Sequence, residues 1–160
     1  MTTSPQRYWS MPSNSGRDMC TVSLVRTVRS GDETEAYVAD VQLRSEFWDL
    51  ANENNRNHVP EATVELHQML FSRAKLDAFV DELGRQPQYL TPVFCDPCAS
   101  SGQRFLMSVG PAEDLITDVY KPAFSVSFHS SSNLEGRMSY VIDQTCIDAF
   151  LESCRGFLRN

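Results

Sequence analysis

The sequence contains no long apolar run, and this lack excludes a membrane-spanning helix. Such a helix needs about 18 or more consecutive apolar residues, and the 160-residue chain has no stretch of that kind. The first 18 residues, MTTSPQRYWSMPSNSGRD, also lack the apolar core of a secretory signal. We therefore expect a cytoplasmic protein that is not bound to a membrane.

Basic residues are scarce. The chain has 14 Lys and Arg against 21 Asp and Glu, which gives a net charge of −7 at neutral pH. Binding to nucleic acid depends on clustered cations that neutralise phosphates, and the sequence has no such cluster. The charge therefore argues against nucleic acid as a partner and favours a basic protein.

The sequence also lacks the short motifs of common enzymes. It has no G-x-S-x-G, no H-E-x-x-H and no glycine-rich phosphate loop. Its three histidines, His58, His67 and His129, are scattered, and the last two fall on the polar faces of predicted strands. We therefore predict no enzyme activity, no catalytic residue, no cofactor and no metal site.

The stretch FCDPCASSG contains a Cys-x-x-Cys pair, Cys95 and Cys98. A structural zinc site needs four ligands, and the other cysteines, Cys20, Cys146 and Cys154, form no second pair. Thioredoxin-like motifs of the Cys-x-Pro-Cys form open a helix, whereas the following ASSGQR is a poor helix start. The pattern favours a loop with two reduced thiols, and a small thiol-dependent enzyme that uses this pair remains an alternative.

Six segments alternate apolar and polar residues with the period of a β-strand that has one buried face. They are Cys20–Val28, Tyr37–Leu43, Ala62–Phe71, Phe105–Val109, Phe124–Phe128 and Met138–Ile142. In the third segment the alternation predicts Val64, Leu66 and Leu70 on the buried face and Glu65 and His67 on the polar face. A long connection with several prolines separates the first three segments and their helix from the last three.

Two segments switch to the helical spacing i, i+3, i+4 and i+7. Their apolar stripes are Leu76, Phe79, Val80, Leu83 and Ile147, Phe150, Leu151, Cys154. Ser72 and Asp143 are placed to cap the two N-termini, and Gly84 is predicted to end the first helix in a left-handed conformation. We expect Cys146 beside the start of the second helix and Cys154 in its buried stripe.

The two predicted strand–helix segments resemble each other. LFSRAKLDAFVDEL aligns with VIDQTCIDAFLESC, so that Phe79 and Phe150 are 71 residues apart. This pattern favours a duplicated unit of two strands and one helix, with pseudo-repeats over about 20–86 and 104–160 in a single domain, 19–160. The predicted fold is α+β, with one antiparallel sheet, strongly twisted or folded towards a sandwich, covered by two helices on one face.

Residues 1–18 are rich in Ser, Thr, Pro and Asn and show no period, which favours a mobile N-terminal arm. Within it stand the large apolar residues Tyr8, Trp9 and Met11. They favour the alternative that this part of the segment lies against the domain.

Two segments combine aromatic and acidic side chains that suit a protein interface. FW precedes an Asn-rich loop, and GPAEDLITDVY places acidic residues beside apolar ones. The predicted partner-binding residues are Phe47, Trp48, Glu53, Glu113, Asp114, Asp118 and Tyr120.

Three stretches, AYVADVQLRSEFW, ATVELHQMLFSRAKLDAFVDEL and MSYVIDQTCIDAFLESCRGFL, resemble the WapI-like immunity-type proteins of bacterial polymorphic toxin systems. The resemblance lies in strands that lead into helices and includes no catalytic motif. It implies a non-enzymatic inhibitor that binds and blocks a cognate toxin. We expect the chain to be a monomer or a weak homodimer. A self-associating structural module is the third hypothesis, beside the inhibitor and the thiol enzyme.

Overall fold

The computed structural model describes residues 5–13, 17–29, 35–44, 62–85, 93–98, 103–111, 122–129 and 135–159, which form two four-stranded antiparallel sheets and two helices. The first half contains β1 (Tyr8–Pro12), β2 (Asp18–Arg29), β3 (Glu35–Arg44), β4 (Thr63–Ser72) and helix α1 (Arg73–Arg85). The second half contains β5 (Val93–Cys98), β6 (Gln103–Pro111), β7 (Pro122–His129), β8 (Glu135–Val141) and helix α2 (Gln144–Leu158). Within each sheet the strand order follows the chain.

The α+β class with antiparallel strands is confirmed, but the β layer differs from the prediction. The strands form two sheets instead of one, and each half has four strands before its helix, where the alternation predicts three and the proposed repeat unit contains two. The two strands that the alternation missed, β1 and β5, are short edge strands, and each contains a proline. Proline is tolerated at sheet edges, where a missing N–H breaks no pairing.

The segment 8–12 does not belong to a mobile arm. It pairs with β2 as β1, and Trp9 and Met11 are buried in the core, as the packing alternative for these residues predicted. Helix α2 lies along β1, where the backbone N–H of Ser10 donates to the Ser153 hydroxyl at 3.1 Å. The outer edge of the first sheet is thus covered by the C-terminal helix, which protects an otherwise open strand.

The helix starts agree with the predicted caps. Asp143 accepts a hydrogen bond from the backbone N–H of Cys146 at 2.9 Å, and this bond lowers the pKa of the Asp143 carboxyl. At the start of α1, the backbone N–H of Lys75 donates to the Ser72 hydroxyl at 3.4 Å. The predicted end of α1 is wrong, because Gly84 lies inside the helix. Its missing Cβ leaves room for the Arg155 guanidinium, which lies 2.8 Å from the position that a Cβ would occupy.

Both sheets contribute their inner faces to one shared core. Trp9 of β1 contacts Phe150 of α2 edge-on at 5.8 Å between ring centroids, and Phe71 of β4 at 6.3 Å. Phe71 in turn contacts Phe105 of β6 at 5.1 Å. Helix α1 contacts α2 and also β5, so the helix of each half lies against the edge strand of the other half. The two halves are therefore packed into one body.

Candidate binding surface

The residues that the sequence predicts at a partner interface lie outside the described part of the chain. These are Phe47, Trp48, Glu53, Glu113, Asp114, Asp118 and Tyr120. Their role stays a prediction. A candidate surface therefore has to be built from the residues that the structure does describe.

The Cys-x-x-Cys pair lies in a strand, which corrects the predicted loop. Cys95 and Cys98 belong to β5 and pair with Leu106 and Gln103 of β6. Residues three apart in a strand are separated by about 10 Å between Cα atoms. A disulfide needs a Cα separation of about 4.4–6.8 Å, so an extended backbone does not bring the pair close enough to form one.

The other three thiols are buried, which was predicted for Cys154 in the stripe of α2, and Cys146 lies at the start of that helix as expected. Burial raises the pKa of the Cys20 thiol to about 12 and the pKa of Cys154 well above its usual value. Both remain protonated at neutral pH, and a thiol is a poor nucleophile compared with a thiolate. Among the described residues, no three His, Cys, Asp or Glu side chains are grouped so that they could hold a metal ion.

The outer face of the first sheet, on the side away from the core, has an irregular strand register. The pairing of β2 with β3 shifts between Leu24 and Arg26, which makes Val25 an extra residue. The pairing of β3 with β4 shifts between Ala39 and Val41. Two β-bulges therefore flank the middle of β3, one on each side. Bulges bend a strand, increase its twist and occur next to functional sites more often than elsewhere.

The bulge in β4 consists of His67 and Gln68, which together lie opposite Asp40 of β3. Gln68 has a φ of 58° and is the one residue other than glycine with a positive φ in the described ranges. This left-handed conformation costs a non-glycine residue about 1–2 kcal/mol. Strain of this kind persists only where the surrounding structure holds it, and it is concentrated at functional sites.

The extra residue in β4 changes which side chains face outward. Helices α1 and α2 begin 71 residues apart, at Arg73 and Gln144. When the residues of β4 and β8 are counted back from these helix starts, Glu65 corresponds to Gly136 and His67 to Met138. Gly136 faces the core ring of Phe128, and Met138 packs against the core. A shift of one residue transfers all following side chains to the opposite face of a strand. The bulge therefore places Glu65 and His67 on the outer face.

These side chains form a polar cluster with Asp40. Asp40 Oδ1 accepts a hydrogen bond from the backbone N–H of Gln68 at 3.0 Å and lies 3.5 Å from His67 Nδ1. The other ring nitrogen of His67 is 3.8 Å from Glu65 Oε2. Gln42 donates to Glu65 Oε1 at 3.4 Å. The imidazole thus lies between two carboxylates, at distances longer than good hydrogen bonds.

Most of this cluster is open to solvent. The side chains of His67, Asp40 and Glu65 are 67%, 44% and 56% exposed. Arg26 and Arg44 are exposed on the same sheet, but neither carboxylate is within salt-bridge distance of a lysine or arginine of the described residues. The two negative charges are therefore available to a partner.

A short arginine–carboxylate pair, Arg73 with Glu35, lies elsewhere and connects elements of the fold. Arg73, the first residue of α1, donates to Glu35 Oε2 of β3 at 2.7 Å and to the carbonyl of Leu158 at 2.6 Å. This cation connects one helix start, one strand start and the C-terminal end of the other helix. Among the residues that the structure describes, Asp40 and Glu65 have no arginine partner of this kind.

Two exposed apolar side chains flank the polar cluster. Tyr8 is 51% exposed and Val25 is 44% exposed, and among the described residues these are the large apolar side chains most open to solvent. Tyr8 pairs with Ser23, which pairs with Asp40, so one row of the outer face runs from Tyr8 across the sheet to the bulge. We call Tyr8, Val25, Asp40, Glu65 and His67 the outer-face patch.

The sequence contains a pattern that indicates the bulge at this patch, but a strict alternation of apolar and polar residues does not detect it. The alternation correctly placed Glu65 and His67 on the polar face, and His129 is exposed as predicted. It wrongly placed Leu70 with Leu66 on the buried face, since Met69 takes the core position. Two core residues three apart, Leu66 and Met69, indicate that a bulge separates them.

Comparison with known proteins shows no match to this chain among protein-family models, curated proteins or solved structures. No helix of the described residues has the length and apolar character needed to cross a membrane. The outer-face patch, with two unneutralised carboxylates beside an exposed tyrosine and valine, suits the recognition of another protein.

Proposed function

We propose that the chain is a non-enzymatic binding protein that neutralises a basic protein partner. The specific form of the proposal is an immunity protein in the bacterial cytoplasm that binds and blocks a cognate toxin. The resemblance in sequence to WapI-like immunity-type proteins motivates this form.

One observation carries the proposal: the outer-face patch combines two exposed carboxylates, which no lysine or arginine of the described residues neutralises, with two exposed apolar side chains. Exposed tyrosine is typical of interface hot spots, and exposed carboxylates attract cationic partners. The patch lies on strands that are anchored from behind by the core, through Val41, Leu66 and Met69. A binding surface on a rigid support loses little conformational entropy when it binds.

The net charge of −7 supports the same conclusion at longer range. A protein with this charge attracts basic proteins and speeds their association at low ionic strength. A toxin that acts on nucleic acid has a basic substrate cleft, and an acidic inhibitor competes with the substrate for that cleft. The proposal therefore connects the composition of the chain with the position of its exposed carboxylates.

Co-expression tests the proposal directly. The protein encoded by the neighbouring gene is expressed with and without this chain, and cell survival and co-purification are measured. We expect a stable complex and rescue of growth by the intact chain. Rescue that fails, together with the absence of a complex, would reject the immunity function.

The thiol-dependent enzyme serves as the competing hypothesis in the same experiment. A Cys95→Ser/Cys98→Ser variant removes both thiols of β5. We expect this variant to rescue growth as well as the parent chain. Loss of rescue without loss of folding would instead favour a role for these thiols.

A further inference from the structure

We propose that two copies of this chain associate by pairing their β8 strands antiparallel, with the twofold axis at Gly136 and with Glu135 of each copy opposite Arg137 of the other. The inference goes beyond the proposed function, because it concerns the second sheet and a different partner. Its basis is the protection of the sheet edges, the direction of the β8 backbone groups and the order of charges along β8.

The sheet edges formed by the described strands differ in how they are protected. The outer side of β1 is covered by α2, where Ser10 donates to Ser153, and β5 lies against α1. The edge strand β4 is interrupted by the bulge at Gln68, and bulges hinder the addition of another strand. The edge strand β8 contains no proline and pairs with β7 without a register shift. Among the described strands, β8 therefore offers the most regular edge to a further strand.

The hydrogen bonds to β7 show which backbone groups of β8 point to its outer edge. The N–H of Ile142, directly after β8, donates to the carbonyl of Pro122 at 3.0 Å. Hydrogen-bonded and non-hydrogen-bonded pairs alternate in an antiparallel ladder, so the even-numbered residues of β8 direct their N–H and C=O groups to β7. The groups of the odd-numbered residues point away from β7, and these residues are Glu135, Arg137, Ser139 and Val141.

Three of these residues also have side chains on the outer face of the sheet. Gly136 faces the ring of Phe128, and Met138 packs against the core. The alternate residues Glu135, Arg137 and Ser139 are exposed. A second strand can therefore pair with β8 while the core side chains keep their positions.

The charges along β8 favour one register of self-pairing. Outward backbone groups have to meet outward groups, so odd-numbered residues pair with odd-numbered residues of the second copy. An axis at Glu135 or at Arg137 places like charges directly opposite each other, which is destabilising. An axis at Met138 places Arg137 opposite Ser139 and forms no ion pair. An axis at Gly136 places Glu135 opposite Arg137 twice, so charge complementarity selects this register.

Gly136 also suits the close approach at the axis. The two residues at this axis form a non-hydrogen-bonded pair, whose Cα atoms are about 4.5 Å apart. Glycine adds no side chain there, and the ring of Phe128 lies over Gly136 on the core side. The two Glu135–Arg137 pairs supply about four main-chain hydrogen bonds. Because the ion pairs are exposed and the contact is small, we expect a dissociation constant of about 0.1–1 mM.

Sedimentation equilibrium of the full chain tests the inference, at protein concentrations from about 10 µM to about 1 mM. We expect monomer at the lower end and a measurable fraction of dimer at the upper end. Arg137→Glu should weaken association about tenfold or more, because glutamates then face each other in both pairs. Arg85→Glu on the exposed side of α1 changes the net charge equally and is the matched control, with an expected change of less than about threefold.

Two results of this experiment would reject the inference. One is a parent chain that remains monomeric at about 1 mM. The other is equal weakening by Arg137→Glu and Arg85→Glu, which would show that only the net charge matters.

A charge-swap experiment tests the register. Glu135→Arg alone places arginines opposite each other and should also weaken association. In a mixture of the Glu135→Arg and Arg137→Glu chains, both pairs again join arginine with glutamate, so mixed dimers should form at concentrations where neither variant associates alone. The double variant Glu135→Arg/Arg137→Glu should associate within about threefold of the parent chain. Failure of either restoration, with circular dichroism showing folded variants, would reject this register.

The outcomes also separate the inference from the proposed function. Binding to the protein encoded by the neighbouring gene depends on the first sheet, so Arg137→Glu should leave it within about threefold of the parent value. Absence of a dimer of the intact chain rejects the inference and retains the proposed function. Absence of a complex with the neighbouring gene's protein, together with the expected charge-swap results, rejects the proposed function and supports the inference.

Discussion

The two sheets share a topology but differ in register. Both are four-stranded antiparallel meanders followed by a helix, and the two helices begin 71 residues apart. The first sheet contains three register shifts, at Met11/Pro12, Leu24/Arg26 and Ala39/Val41. The second sheet pairs residue for residue over its described length.

The outer faces differ accordingly. In the second sheet, Ser108, Ser125 and Ser139 form a row across β6, β7 and β8, and the hydroxyls of the last two are in contact. The first sheet instead presents a row that leads from Tyr8 to the strained bulge at Gln68. The comparison shows that one extra residue in β4 is sufficient to move charged side chains from the core side to the solvent side.

Replacing Trp9 should have the largest effect on stability. Trp9 is 1% exposed and contacts Phe71 and Phe150, so Trp9→Ala should reduce the free energy of unfolding by about 3–5 kcal/mol. Its neighbour Tyr8 is on the outer face, and Tyr8→Ala should cost less than about 1 kcal/mol. Urea denaturation measures both. A similar loss in both variants would mean that the outer face also supports the fold.

A methyl group at Gly136 should have the next largest effect. A Cβ there would overlap the ring of Phe128, so Gly136→Ala should destabilise the protein by about 1–3 kcal/mol. The corresponding residue of the first sheet is Glu65, on the outer face, and Glu65→Ala should change stability by about 0.5 kcal/mol or less. Thermal unfolding of the two variants provides the comparison. Equal destabilisation would contradict the exchange of faces between the two strands.

The smallest expected effect concerns glycine substitutions at positions 68 and 139, which are 71 residues apart. The two substitutions should change stability in opposite directions. Gln68→Gly relieves a positive φ and should stabilise the protein by up to about 1 kcal/mol. Ser139→Gly introduces glycine into a regular strand and should destabilise it by about 0.5–1 kcal/mol. Denaturation curves with unchanged m-values would show that only stability has changed. A destabilising Gln68→Gly would mean that the bulge is not strained.

The sequence predicted much of the local structure and little of the candidate site. The helical stripes, the caps at Ser72 and Asp143 and the burial of Cys154 follow from short-range spacing and are found in the structure. Residues of the outer-face patch come from β1, β2, β3 and β4, which are distant in sequence. Alternation within one strand gives each residue's face but not its neighbours in the next strand.

Two errors show where local reasoning stops. Cys95 and Cys98 were predicted in a loop because their segment contains prolines, yet the chain there is extended and paired with β6. Gly84 was predicted to end α1, but the helix continues through it, and its missing side chain serves the contact with Arg155. In both places the outcome depends on a neighbour that the sequence does not reveal.

The sequence by itself determined the types of most elements, the apolar face of each helix and the acidic character of the surface. These properties follow from the periodicity and charge of nearby residues. Only the tertiary structure decided that the strands divide into two sheets, that each helix crosses to the edge strand of the other half and that Glu65 and His67 meet Asp40 at a bulge. Backbone hydrogen bonds can form between any two strands and in more than one register. The choice of partner strand and register therefore depends on contacts between residues that are distant in sequence.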